Sequence, residues 1–110
     1  MITTIYPSDQ RGMKGVRALL EKEGLRMDAN IDYTCAVLDE SHQVIATGSC
    51  YANTLRCFAV ESSHQGKGLL NIVLTHLMGV QQKRGNSSVF LYTKGASAPF
   101  FSSLGFYEIA

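Results

Sequence analysis

The densest run of chemistry-bearing residues is Glu61-Ser62-Ser63-His64-Gln65-Gly66-Lys67-Gly68-Leu69-Leu70. It supplies a carboxylate, two hydroxyls and an imidazole, then two glycines around a lysine. Glycines let a backbone approach a ligand closely. Where such a loop opens a helix, the unpaired N–H groups and the helix dipole favour an anion, phosphate above all. Lys67 adds a point charge. Glu61 is the candidate base, set against the common role of a solvated carboxylate. The loop is not a P-loop, because GxxxxGK[ST] is absent. It is not a dinucleotide fingerprint either, which needs three glycines opening a βαβ unit. The competing reading is a strand-to-helix turn that binds nothing. Cys57, just upstream, is a candidate to face the same pocket, against its commoner role as a small core hydrophobe. His42, His64 and His76 have no metal-ligand spacing, so no metal is expected.

The flanking patterns say what holds this loop. Leu70, Val73, Leu74, Leu77 and Met78 share one helical face, closing near Arg84-Gly85-Asn86. Before the loop come three apolar runs, Tyr33–Leu38, Val44–Tyr51 and Thr54–Val60. Asp39-Glu40-Ser41-His42 is turn chemistry, so the runs predict an antiparallel meander. Upstream, Ile2–Tyr6 reads as a strand that Pro7 stops. Ser8 or Asp9 then caps a helix carrying Met13, Val16, Leu19 and Leu20, with Gly24 as its stop. Downstream, Val89–Thr93 reads as a strand buried on both faces. A short helix from about Ser97 to Leu104 and a last strand at Phe106–Ile109 follow. The order β-α-β-β-β-α-β-α-β is that of a mixed α+β domain, with the strands before and after the second helix parallel.

The bulk numbers narrow the classes. At 110 residues the chain is expected to be one domain, 1–110, able to bury about two-thirds of its unfolded surface. Ten Lys+Arg against nine Asp+Glu give a net charge of +1, without the basic excess that nucleic acid requires. No apolar run approaches a membrane span, and no signal-peptide pattern opens the chain. Three cysteines, Cys35, Cys50 and Cys57, are odd in number and lie in apolar runs. They read as reduced core thiols of a cytoplasmic protein.

A strand, Gln-x-x-Gly and an amphipathic helix together resemble the GNAT acyltransferase superfamily. Its signature is Arg or Gln, two residues, Gly, one residue, then Gly or Ala. Gln65, Gly68 and Leu70 hold those positions, and Leu70 departs from the pattern. Phe100-Phe101-Ser102-Ser103-Leu104-Gly105-Phe106 is similar to the superfamily's closing segment. The resemblance therefore covers nearly the whole chain. Within the superfamily, Arg56-Cys57-Phe58-Ala59-Val60, the Gln65–Leu70 loop and Phe90-Leu91-Tyr92-Thr93-Lys94 are most similar to the N-terminal domain of the citrate lyase ligases.

The resemblance implies a GNAT-like fold and a site for acetyl-CoA, or for the related pantetheine arm of the citrate lyase acyl carrier. The pyrophosphate would lie on the N–H groups of Gln65, Gly66, Lys67, Gly68, Leu69 and Leu70. The arm would pair with the strand edge Phe58-Ala59-Val60, with Ser97 and Phe101 beside it. The superfamily often takes its leaving-group proton from a Tyr at the position of Phe101, which has none to give. Tyr92, Ser97 and Tyr107 are the remaining hydroxyl donors. The family's ligase acetylates the carrier thiol with acetate and ATP, and nothing here matches its ATP-using part. This chain alone is thus expected not to release pyrophosphate from ATP. It is also expected to transfer acetyl groups poorly, since a missing general acid is worth about 10²–10⁴-fold. Two alternatives stand beside the ligase domain: a free-standing acetyltransferase acting on an amine or thiol, and a non-catalytic CoA-binding module.

Overall fold

The computed structural model describes residues 2–25, 31–64, 68–86 and 89–91. Strand β1 (Ile2–Thr4) leads to helix α1 (Gln10–Lys22). Strands β2 (Tyr33–Leu38), β3 (Val44–Tyr51) and β4 (Thr54–Val60) follow, then a single 3₁₀ turn (Ser62–His64). Helix α2 (Leu69–Lys83) and strand β5 (Phe90–Leu91) complete the described chain. The sheet runs β1-β2-β3-β4-β5. Its first four strands are antiparallel, and β5 is parallel to β4, with Thr54 opposite Phe90 and Leu55 opposite Leu91. The expected terminal helix (Ser97–Leu104) and last strand (Phe106–Ile109) lie outside the described residues.

Local chemistry explains the element boundaries. Asp9 caps α1, its Oδ1 accepting from Gly12 N–H at 2.9 Å. Both helices end on a left-handed glycine, Gly24 (φ 78°) and Gly85 (φ 79°). Leu25 N–H donates to the Leu20 carbonyl and Gly24 N–H to Glu21, and Asn86 and Gly85 repeat this toward Gln81 and Gln82. These paired bonds satisfy carbonyls that the helix leaves over. Asp39 Oδ1 accepts from Ser41 N–H (2.8 Å) and Gln43 N–H (2.9 Å), which builds the β2–β3 turn. Strand β1 is shorter than its pattern predicts. The Tyr6 carbonyl accepts from Asp9 N–H at 2.9 Å and so leaves the sheet to open the turn into α1.

Strand alternation sends side chains to two helices on opposite faces. Cys35, Val37, Cys50, Leu55 and Phe58 pack with Val73, Leu74 and Leu77 of α2. Ala36, Ala59 and Ile5 pack with Val16, Leu19 and Leu20 of α1. Cys35 and Cys50 are fully buried, as expected of core thiols. Burial pushes the Cys35 thiol up to about 12, and proximity to Cys50 adds to the effect.

Candidate functional site

Leu55 and Phe58 face α2, whereas Cys57 and Ala59 face α1. A spacing of three breaks the period of two. The cause is a bulge: Thr47 pairs with Ala59 but Ser49 pairs with Arg56, so β4 carries one residue more than β3 across that interval. Cys57 takes a left-handed φ of 57° there. Bulges re-aim a strand and cluster beside functional sites. Here the bulge turns Phe58 and Val60 toward the α2 side and leaves Cys57 packed against the α1-side core. The core role weighed for Cys57 is the one its packing supports.

Beyond β4 the chain makes the 3₁₀ turn and enters α2 through Gly68. Gly68 is the N-cap, at φ 76° and ψ 10°, and makes no side-chain capping bond. The first turn of α2 contains no acidic residue. Among the described residues, no carboxylate or hydroxyl side chain caps the N-terminus of this 15-residue helix. That leaves N–H donors and the positive end of the dipole available to an anion. Leu70, where the superfamily has Gly or Ala, is half-buried and packs against the α2-side core along with Leu69.

Glu61 follows β4 and is the hub of a polar cluster. It accepts from Lys22 Nζ (2.9 Å), from His64 Nδ1 (2.7 Å) and from the Ser63 hydroxyl. Its side chain is 18% exposed, so the simple solvated carboxylate does not describe it. The Ser63 hydroxyl, then Lys22 and His64, hold its carboxyl down at about 2. The Glu61 carboxylate, by its hydrogen bond first, raises Lys22. Next to this pair, the Ser62 hydroxyl donates to the Glu23 carboxylate at 3.0 and 3.1 Å. The end of α1 is thereby latched to the turn that delivers α2. Lys22 and Glu23 lie 39 residues from their partners, and no sequence spacing signals them.

A carboxylate held this low is a weak proton acceptor at neutral pH. The Glu61 carboxylate, accepting from Nδ1–H, fixes the orientation of the His64 ring. His76 is structural instead: its Nε2 bonds the Tyr33 hydroxyl at 2.6 Å and the rings stack at 5.9 Å. His42 is exposed in the β2–β3 turn.

The Glu61 shift sets a pH window. The folded carboxyl titrates at about 2 against an ordinary 4.5, so its contribution is complete above pH 4.5 and disappears as pH falls to about 2. The difference in Tm between native protein and Glu61→Gln should therefore shrink as pH falls through that interval. A difference that stays constant from pH 7 to pH 2 would show that ionisation of Glu61 does not stabilise the fold.

Of the sequence candidates, Phe58, Ala59, Val60, Glu61, Gly68, Leu69 and Leu70 are described and run continuously from β4 to α2, apart from the loop tip. Gln65, Gly66, Lys67, Tyr92, Ser97, Phe101 and Tyr107 lie outside the described residues. Among the described residues, no three His, Cys, Asp or Glu side chains group so as to hold a metal ion. No described helix is long and apolar enough to cross a membrane.

This fold is that of the GNAT acetyltransferases. An aminoglycoside acetyltransferase from an uncultured soil metagenomic sample superposes with a TM-score of 0.81 at 15% identity, over 100% of this chain and 93% of that one. A GNAT family N-acetyltransferase from Escherichia coli, solved in complex with CoA, gives 0.74 at 19% identity, over 97% and 68%. In sequence, the chain is similar to citrate (pro-3S)-lyase ligases. It is 33% identical to that of Klebsiella pneumoniae over 103 residues, 93% of this chain. It is 26% identical to that of Haemophilus influenzae over 103 residues, 94% of this chain. The chain spans about 30% of the length of these curated relatives. No family model matches it.

Proposed function

We propose that this chain is the GNAT-fold part of a citrate lyase ligase, where it binds acetyl-CoA or the pantetheine arm of the citrate lyase acyl carrier. The ligase acetylates the carrier thiol with acetate and ATP. The ATP-using step belongs to the portion of the relatives that this chain does not span. The observation that carries the reading is the α2 N-terminus, opened by a left-handed glycine without a capping side chain and next in the chain after β4 and the 3₁₀ turn. Pyrophosphate sits on the backbone from Gln65 to Leu70, with Lys67 adding charge. The arm, amide-bearing like a short peptide, runs along Phe58-Ala59-Val60. Ser97 and Phe101 line it, and Tyr92 and Tyr107 supply hydroxyls near the thioester. Glu61 orients His64 at the loop entrance.

Calorimetric titration of the chain with CoA, acetyl-CoA and pantetheine tests this. CoA and acetyl-CoA should bind with similar affinity, and pantetheine, which lacks the pyrophosphate, more weakly. Equal affinity for CoA and pantetheine would remove the loop from the site. Binding of none of the three would overturn the reading.

A further inference from the structure

Arg11, Lys14 and Arg17 are spaced by three on α1 and all exposed, forming one cationic stripe about 9 Å long. None of the three forms an ion pair among the described residues, whereas Lys22 and Arg84 do. Arg11 lies in the first turn of α1, which has no acidic residue, and there the dipole disfavours a cation by about 0.3–1 kcal/mol. Two grooves flank the stripe. One, of about 780 Å³, is lined by Arg11, Lys14 and His42 over an apolar floor that includes Val44. The other, of about 280 Å³, is lined by Arg17 and Tyr6, and Tyr6 is 65% exposed. The acids in these grooves are engaged: Asp9 with Gly12 N–H, and Asp32 with Arg84 at 2.8 Å. Among the described residues, the three cations remain unpaired.

We infer that the N-terminal half of α1 docks a carboxylate-rich face of the protein that brings the pantetheine arm, which deepens the function proposed above and rests on it. Cations spread along two turns and both flanks of a helix suit an extended face better than one small anion, which needs converging donors. An exposed tyrosine beside arginine is the composition of an interface anchor. The spacing also fits. Arg11 lies eleven residues, about 16 Å of helix, from Lys22, whose ammonium holds Glu61 at the mouth of the loop. A phosphopantetheine arm matches about five residues of extended chain, about 17 Å. A carrier seated on the stripe can thus thread its arm to β4.

The test measures binding of the purified citrate lyase acyl carrier, with and without its prosthetic arm, at low and physiological salt. Native chain is compared with R11E/K14E/R17E and with the milder R11Q/K14Q/R17Q. Both variants should stay folded with a Tm close to native, because all three side chains are exposed. The glutamate variant should bind either carrier at least about 10-fold more weakly while its CoA affinity stays native, and native binding should weaken with salt. Three results overturn the inference alone: native-like carrier binding by the glutamate variant, a matching loss of CoA affinity, or a native chain that binds CoA but no carrier. A native chain that binds neither ligand overturns the proposed function as well.

Discussion

Gly48→Val should unfold the domain or lower its Tm by at least about 12 °C. A Cβ at position 48 would stand 2.6 Å from Val73 Cγ1, 2.9 Å from Leu77 Cδ1 and 3.1 Å from Phe58 Cε1. All three neighbours are buried, so none can swing into solvent. The added atoms must push α2 off the sheet, and overpacking of this kind costs about 3 kcal/mol or more for a branched side chain. At this length each kcal/mol moves Tm by about 4 °C. Gly79→Ala is the control. It lies on α2 itself, no described residue outside its own helix stands within 4 Å of its Cβ position, and the change should stabilise by up to about 1 kcal/mol. Comparable melting of native protein and Gly48→Val would refute the close approach of α2 to β3.

The second large effect is functional. Gly68→Val should weaken CoA binding about 100-fold while the domain remains folded. Among the described residues, no atom lies within 4 Å of the Cβ position, so the substitution clashes with none of them. The defect is conformational. Gly68 holds a φ of 76°, which a β-branched residue strongly resists, and its relaxation re-aims the N–H groups that open α2. Gly68→Asn separates two causes, because asparagine tolerates the left-handed region. If backbone direction alone matters, it binds CoA like native. If the ligand also needs the space of the missing side chain, it fails with valine. Undiminished calorimetric affinity in folded Gly68→Val would remove this turn from the site.

Local signals in the chain were strong where their causes are local. Apolar runs and turn residues place β2, β3 and β4 at Tyr33–Leu38, Val44–Tyr51 and Thr54–Val60, as found. The cap at Asp9 and the stops at Gly24 and Gly85 are equally legible, since capping depends on residues within one turn. The strand, glycine loop and amphipathic helix were enough to suggest the GNAT architecture that the fold then displays. Glu61 was legible as a candidate but its pairing was not, because its partner Lys22 comes from another element.

Sequence by itself thus determined the strands and helices from β1 to β5, their order, the antiparallel meander, the parallel return of β5 and the glycine at the mouth of α2. Each follows from propensity, alternation or capping among near neighbours. Tertiary structure alone decided the rest. The bulge at Cys57 reverses which residues of β4 face α2, and strict alternation would have placed Cys57 with Leu55. Gly48 and Gly79 look alike in the chain, yet one lies under a helix and the other opens onto space. Lys22 reaches Glu61 and Glu23 reaches Ser62 only because α1 and α2 lie on opposite faces of one sheet and β4 ends beside both. These properties depend on which distant surfaces meet, and that is settled by burying the whole core at once, not by any window of sequence.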